Sequence, residues 1–167
     1  MIKKTKQLKY SRSATPFQHI HSVLLCWDSN QPRSEIEELK TFGHEMRKAG
    51  KEITFLAFHP IKKLTPDMQP NALHQLVCKG DFNLFKAPKS KYLLDILNQP
   101  FDLLINGCLT ENEHLNTISV YSKSKFRIGP YLSNDETAFY ELLIKPNGAD
   151  LCENYLIEIG KYLQKIK

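Results

Sequence analysis

Residues 21–28 have the sequence HSVLLCWD, an apolar run that ends in a single acid. Such a run is typical of a β-strand that is buried on both faces of a parallel sheet. A second run of this kind, EITFLAF, follows at residues 52–58. Between the two runs, Ser34 and Glu37 match a capping box, and apolar residues recur at helical spacing until Gly50. A strand, a helix and a strand in this order predict a βαβ unit, whose two strands are parallel.

The rest of the chain continues the alternation of strands and helices. A helix capped by Ser90 leads to a third apolar run, FDLLIN at residues 101–106, and a second capping box at Thr110 and Glu113 begins the next helix. Further elements are predicted as a short strand at 82–85, a strand at 126–132, a strand at 138–144 and a last helix from about Asp150. Only residues 133–137 separate the last two strands, which is too short for a crossover helix, so the final strand is expected to be antiparallel.

These elements predict an α/β fold, a three-layer sandwich around a mostly parallel Rossmann-like or flavodoxin-like sheet with one antiparallel edge strand. Residues 1–17 are expected to form a basic flexible tail and residues 18–167 a single α/β domain. The chain has 167 residues, of which 41% are hydrophobic and 25% charged, as in ordinary globular domains. Its longest apolar runs have about five residues, far fewer than the roughly 18 of a membrane span, so no membrane partner is expected.

Positive charge is concentrated at the start of the chain. The net charge is +5, and residues 1–12 contain five cations and no acid, so the remaining cations and acids balance. The five cations are Lys3, Lys4, Lys6, Lys9 and Arg12. Lysines beside phosphates release counterions and give affinity without sequence specificity, which makes an RNA contact one interpretation of this tail. The other interpretation is a solvated end that only aids solubility.

The four cysteines are spread along the chain and form no C-x-x-C motif. Cys26 and Cys108 lie in or beside apolar runs, where cysteine usually behaves as a small buried apolar residue. This spacing offers neither a disulfide framework nor a set of zinc ligands, so no metal is predicted and a reducing, cytoplasmic compartment is favoured. No apolar segment of signal-peptide length follows the basic start.

Polar side chains follow several predicted strands at their carboxyl ends, the edge where parallel α/β sheets usually bind ligands. They are Asp28, Ser29, Asn30, His59 and Asn106. We call them the rim residues, and they are candidates for a small-molecule or nucleotide-binding enzyme of the transferase type. Because G-x-G-x-x-G, G-x-x-x-x-G-K-[ST] and G-x-S-x-G motifs are all missing, no cofactor is predicted. Alternatively, the acid after the first strand satisfies backbone donors of the next turn, and the histidine is solvated or caps the strand end.

Residues 122–130 have the sequence SKSKFRIGP, with three cations in a short stretch. Lys125 and Arg127 alternate with apolar residues, so they are expected to share one face of the strand. In one interpretation the cations are structural, lying at a helix carboxyl end and forming a cross-strand ion pair between Arg127 and Glu141. In the other, Lys123, Lys125 and Arg127 bind an anion such as RNA phosphate.

Four stretches carry a family resemblance: DFNLFKAPKS at 81–90, FDLLIN at 101–106, ISVYSKSKFRIG at 118–129 and FYELLI at 139–144. In this order they resemble a family of small uncharacterised proteins, found mainly in Bacteroidota, that is catalogued only as a domain of unknown function. The resemblance implies a Rossmann-like α/β fold but no activity, cofactor or catalytic residue. A weaker similarity, carried by DLLI and RIG, is to the amino-terminal half of heptosyltransferase-like enzymes, which need a second domain for which this chain has no room.

Three functional hypotheses follow from the sequence. The first is a non-enzymatic cytoplasmic accessory protein that docks on RNA or a ribonucleoprotein through its basic tail and the cations of residues 123–127. The second is a small-molecule or nucleotide-binding enzyme that uses the rim residues. The third is a protein-interaction scaffold that needs neither set of residues.

Overall fold

The structure is a computed structural model, and it describes residues 17–132 and 139–165. Within these residues the chain forms an α/β fold with six strands, four α-helices and two short 3-10 helices. The strands are β1 Ser22–Asp28, β2 Glu52–His59, β3 His74–Cys78, β4 Leu103–Asn106, β5 Phe126–Pro130 and β6 Leu142–Ile144. The α-helices are α1 Arg33–Lys48, α2 Lys91–Leu97, α3 Glu113–Tyr121 and α4 Leu151–Lys165, and the 3-10 helices are Phe17–His19 and Lys79–Asp81. None of the described helices is long and apolar enough to cross a membrane.

The six strands form one sheet in the order β3-β2-β1-β4-β5-β6, and every neighbouring pair is parallel. The predicted antiparallel strand at 138–144 is therefore wrong, because β6 runs parallel to β5. The two strands pair over only three residues, from Ile128 with Leu142 to Pro130 with Ile144. This overlap is about 10 Å long, and the connection of residues 131–141 has enough residues to span it in the reverse direction.

Tyr140 fixes the chain just before β6. Its ring is buried against Gly129 of β5, where an added Cβ atom would lie 2.7 Å from the ring carbons. The Tyr140 hydroxyl donates to Oδ1 of Asn116 at 2.8 Å and accepts from Nδ2 of Asn106 at 2.7 Å. A glycine in β5 is therefore required to bring the returning chain against the sheet.

The side chains of β1 alternate between two core clusters. Val23, Leu25 and Trp27 pack with residues of α1 and α4, whereas Leu24 and Cys26 pack with residues of α2 and α3. All five are at most 4% exposed, which confirms that this strand is buried on both faces. The alternation follows from the two-residue period of a strand.

Two helices begin differently from their predicted capping boxes. The box at 34–37 is not used, because α1 starts at Arg33 behind Pro32 and has no side-chain cap. The box at 110–113 is replaced by Asn112, whose Oδ1 accepts the N–H of Leu115 at 3.0 Å. The predicted cap of α2 by Ser90 is confirmed.

The strand predicted at 82–85 is wrong. Phe82 forms only an isolated antiparallel bridge with Pro88, and the edge strand of this region is β3. Only Val77 and Cys78 are buried in β3, and its polar start does not resemble an apolar run. The apolar-run criterion therefore misses a strand that lies at the edge of the sheet.

Most of the predicted basic tail lies outside the described residues. The exception is Phe17, which begins the first 3-10 helix and packs against the core cluster that contains α1 and α4. Its carbonyl accepts from Nζ of Lys51 at 2.7 Å, and this ammonium group lies 4.3 Å from the centre of its ring. Phe17 thus belongs to the folded structure rather than to the tail.

Candidate functional site

Asp28 ends β1, and both of its carboxylate oxygens have partners within the protein. Oδ1 accepts the N–H of Asn30 at 2.8 Å, and Oδ2 accepts from Nδ2 of Asn112 at 2.7 Å. The N–H of Asp28 donates to the side chain of Gln31 at 2.8 Å, and that of Ser29 donates to a β2 carbonyl at 2.9 Å. This is the turn-stabilising role that the sequence left open as an alternative to ligand binding.

Asn106 ends β4 and is buried, with its amide engaged on both sides. Nδ2 donates to the Tyr140 hydroxyl, while Oδ1 accepts the N–H of Cys108 at 2.9 Å. The backbone carbonyl of Asn106 accepts from the hydroxyl of Tyr155 at 2.7 Å. Cys108 is buried, as predicted, and burial raises the pKa of its thiol. These groups hold β4 against its neighbours and offer little to a ligand.

His59 ends β2 and is half-buried beside Asp28. Burial lowers the pKa of its imidazole, although the carboxylate of Asp28 opposes this by favouring the cation. Nε2 of His59 is buried and has no hydrogen-bond partner in the structure. Of the predicted rim residues, His59 thus retains an unused polar atom.

His114 lies in the first turn of α3 and joins this region although the sequence did not single it out. Its ring stacks on Phe58 with centroids 4.5 Å apart and meets the edge of Phe82 at 4.8 Å. Burial lowers the pKa of His114, and the nearby Lys86 and Lys79 lower it further. The single-sequence pattern carries no signal for this contact, because sheet topology alone brings α3 beside β2.

Three segments, 59–63, 78–81 and 86–91, meet beyond the carboxyl ends of β2 and β3, and we call them the rim loops. The N–H of Lys79 donates to a carbonyl of the first segment, and the N–H of Lys89 donates to a carbonyl of the second, both at 2.8 Å. Together they carry six lysines: Lys62, Lys63, Lys79, Lys86, Lys89 and Lys91. Five of these are exposed, and Lys86 is half-buried and paired with Glu113.

The charge of the chain is therefore polarised beyond the tail. Residues 59–91 contain six lysines and only two acids, a net charge of +4. Residues 13–58 and 92–167 together contain 12 cations and 16 acids, a net charge of −4. A single sum over everything after residue 12 gives zero and hides this separation.

A turn between the rim-loop segments 78–81 and 86–91 exposes two apolar side chains to solvent. Leu84 is 99% exposed and Phe85 is 88% exposed, and we call this pair the 84–85 tip. Oδ1 of Asn83 accepts the N–H groups of Phe85 and Ala87 at 2.9 and 3.0 Å. Lys86 has a positive φ of 59°, and its N–H donates to the carbonyl of Asn83 at 2.9 Å. The tip is thus a hydrogen-bonded turn.

Arg127 of β5 and Lys125, which lies just before this strand, are both engaged within the protein. Arg127 is buried, and its guanidinium donates to Glu141 at 2.6 to 3.1 Å and to the carbonyl of Ser119 at 3.1 Å. This is the ion pair predicted between Arg127 and Glu141. Nζ of Lys125 donates to Oδ1 of the buried Asp102 at 2.6 Å. Both contacts agree with the structural interpretation of these two cations.

Lys123 differs from its neighbours in the SKSKFRIGP segment. It lies beyond the end of α3, its side chain is exposed, and its N–H donates to the carbonyl of Leu97 at 2.9 Å. It remains a predicted anion contact. The tail cations Lys3, Lys4, Lys6, Lys9 and Arg12 lie outside the described residues.

A groove of about 760 Å³ lies between α1 and α4. Its walls include Glu37, Glu38, Phe42, Leu156 and Ile157, and none of the predicted rim residues lines it. Nowhere in residues 17–132 and 139–165 do three or more histidine, cysteine, aspartate or glutamate side chains form a group that could hold a metal ion.

Over the described residues, these features define an α/β protein with an all-parallel six-stranded sheet and a lysine-rich surface beyond two strand ends. The chain belongs to the family of unknown function DUF6913, whose family model matches residues 1–166. The resemblance to a domain of unknown function is thus confirmed, whereas an origin in Bacteroidota stays a prediction. Neither the curated proteins nor the solved structures contain a match to this chain.

Proposed function

We propose that the protein is a non-enzymatic cytoplasmic accessory protein that docks on RNA or a ribonucleoprotein through the rim loops and the basic tail. The observation that supports this function is the net charge of +4 in residues 59–91, set against −4 in residues 13–58 and 92–167. A surface of this kind attracts a polyanion to one side of the protein, because each lysine near a phosphate releases a counterion.

The rim loops suit this role better than Lys125 and Arg127 do. Among the described residues, Lys62, Lys63, Lys79 and Lys89 form no ion pair and are exposed. Their ammonium groups can therefore reach phosphates without first giving up a protein carboxylate. Arg127, in contrast, would have to leave Glu141 and a buried position.

The fold that carries these loops is, in this proposal, a doubly wound three-layer sandwich of the Rossmann type. Its strand order, β3-β2-β1-β4-β5-β6, matches that of dinucleotide-binding sheets, and each face of the sheet has its own core cluster. The rim loops then occupy the edge at which such sheets meet their ligands.

The test is the salt dependence of binding to a labelled single-stranded RNA, followed by fluorescence anisotropy. The variant replaces Lys62, Lys63 and Lys79 by glutamine, and a matched control replaces three exposed lysines elsewhere. The control lysines are Lys48, Lys145 and Lys161. Losing three phosphate contacts should reduce the slope of log K against log salt by about 2, since each contact contributes about 0.7 on a single strand.

The outcomes separate a defined surface from a general charge effect. The control variant has the same net charge as the test variant, so a general charge effect would weaken both equally. If RNA binds at the rim loops, the control should keep nearly the full slope. If both variants lose the same affinity, the rim loops are not the binding surface. If the full-length protein shows no salt-dependent RNA binding, the proposed function is wrong. Deletion of residues 1–12 measures the separate contribution of the tail.

A second candidate function is a small-molecule or nucleotide-binding enzyme of the transferase type at the same edge. It is favoured by the buried Nε2 of His59, which lacks a partner. Bound ligands raise the apparent stability of the folded state. A rise in the melting temperature with nucleotides or nucleotide sugars that disappears in His59→Phe would support this function, and unchanged melting with all of them would contradict it.

A further inference from the structure

The 84–85 tip is the most exposed apolar feature of the described residues. Phe85 is 88% exposed and Leu84 99%, whereas the next most exposed large apolar side chains, Leu151 and Ile157, are 46% exposed. Single apolar side chains at the surface are common, but two adjacent ones held almost fully in water point to a binding contact.

The tip is held in this conformation by several contacts. Phe82 and Pro88 bridge its base, and the side chain of Asn83 accepts two N–H groups across it. Lys86 adopts a left-handed conformation, which is unfavourable for a residue with a side chain and persists only where the surroundings impose it. The ion pair of Lys86 with Glu113 also ties the turn to α3.

We infer that Phe85 is a base-stacking residue, on whose ring one unpaired base of a single-stranded RNA stacks while lysines of the rim loops bind the flanking phosphates. This inference rests on the proposed RNA-docking function and specifies its ligand. Proteins that bind single strands combine exposed aromatic rings with a basic surface along the backbone. Lys79 and Lys89 are exposed, and they lie on the two segments that flank the tip in sequence and are joined by the hydrogen bond from the N–H of Lys89 to the carbonyl of Asp81.

The chemistry around the tip favours an unpaired base over a lipid or an apolar protein pocket. Beside the tip, the ring of Phe82 contacts His114, which stacks on Phe58. The rings of Phe58 and Phe82 are buried, so the tip offers a ligand the exposed ring of Phe85 with exposed lysines on the neighbouring segments. A base stacks on such a ring while its flanking phosphates pair with the lysines, whereas an acyl chain carries no phosphates along its length. A base within a duplex is already stacked on both faces, so the ligand is single-stranded.

The experiment uses two tryptophan variants of the full chain, Phe85→Trp and Leu84→Trp. The native Trp27 is only 4% exposed, so a ligand at the surface does not contact it. A change in emission on adding RNA therefore comes from the new tryptophan. Labelled single-stranded RNA gives the affinity by anisotropy, and tryptophan emission gives stacking. We expect single-stranded RNA to quench the emission of Phe85→Trp strongly and that of Leu84→Trp less, and duplex RNA to quench neither.

Alanine variants supply the energetic side of the test. Phe85→Ala should weaken binding by roughly 5- to 150-fold and leave the salt slope unchanged, because stacking is lost and no charge is removed. Leu84→Ala should retain its affinity. Both side chains are exposed, so the urea midpoints of the variants should equal that of the wild type, which excludes misfolding as the cause.

Failure of this inference can be distinguished from failure of the proposed function. If Phe85→Ala keeps wild-type affinity while the triple lysine variant loses it, RNA docking stands and base stacking is overturned. If the full chain binds no RNA, both are overturned. If Trp emission of Phe85→Trp shifts to the blue with vesicles of anionic lipid and is unaffected by RNA, the tip inserts into a membrane and the inference is wrong.

Discussion

Replacing Arg127 by methionine tests the structural interpretation of the SKSKFRIGP segment. The guanidinium is buried in β5, where Nε and Nη2 donate to Glu141 at 2.6 to 3.1 Å and Nη1 donates to the carbonyl of Ser119 at 3.1 Å. The methionine side chain fills a similar volume but has no hydrogen-bond donor, so only the main-chain N–H of residue 127 still donates to Glu141. In the variant, Glu141 loses its guanidinium partner and the Ser119 carbonyl loses a charged donor.

The expected cost is large because both partners are mostly shielded from water. The side chains of Arg127 and Glu141 are 11% and 19% exposed. Removing one member of such a pair typically costs about 3 kcal/mol or more, since the remaining charge stays desolvated. With a urea m-value of about 2 kcal/mol/M, a loss of about 3 kcal/mol lowers the unfolding midpoint by roughly 1.5 M.

The measurement is urea unfolding followed by circular dichroism, with Lys123→Met as the matched control. Lys123 is an exposed cation of the same segment, so its removal should change stability by less than about 0.5 kcal/mol. RNA binding is measured on both variants. A stability loss below about 1 kcal/mol for Arg127→Met, the size of a surface pair, would refute the reasoning. So would an unchanged stability with a reduced RNA salt slope, which would make Arg127 an anion contact.

Three further predictions concern stability and titration. Burial alone would raise the pKa of Asp102, but hydrogen bonds from Lys125 and from the N–H groups of His21 and Ser22 outweigh it and keep this pKa low. Asp102→Asn should therefore lower the unfolding free energy by about 2 kcal/mol at pH 7, and by progressively less as the pH falls through that lowered pKa. Urea unfolding at several pH values measures this. Gly129→Ala should lower the unfolding free energy by about 1–3 kcal/mol because its Cβ meets Tyr140, whereas Gly160→Ala, with open space around it in α4, should raise it by up to about 1 kcal/mol. His114 should titrate below about pH 6.5 in an NMR experiment, and because the folded state disfavours its cation, its contribution should reduce stability as the pH falls below that value.

The sequence predicts the strands whose apolar runs are buried on both faces. This holds for β1, β2 and β4, because a strand in the middle of a parallel sheet has no polar face. The two edge strands do not meet this condition. β3 begins with a histidine and a glutamine, and the three residues of β6 are only half-buried. The orientation of β6 also depends on Tyr140 packing against Gly129, a contact between side chains that no periodicity reveals.

The edge position of β3 also explains why the sequence does not predict the lysine-rich surface. Lys62 and Lys79 are far apart in sequence and become neighbours because β3 pairs with β2 in parallel. Once β3 is missed, nothing places residues 78–81 beside residues 59–63. The sequence predicts that the rim residues lie at the carboxyl ends of the strands. It does not predict that their polar groups bind other parts of the protein, because the partners, such as Asn112, come from other elements.

Phe17, which directly follows the undescribed part of the tail, and the rim loops lie at opposite edges of the sheet. Phe17, where the tail joins the structure, lies beside Lys51 before the start of β2, whereas the rim loops lie beyond the ends of β2 and β3. β1, with seven residues, extends for about 23 Å between these edges. This exceeds the distance of about 10 Å over which surface charges interact at moderate salt. However, residues 1–12 lie outside the described residues, and 12 extended residues span up to about 40 Å. Under the proposed function, the effects on the free energy of RNA binding of deleting residues 1–12 and of replacing Lys62, Lys63 and Lys79 should add if the two regions contact separate phosphates, and a sum that falls short would show that they share them.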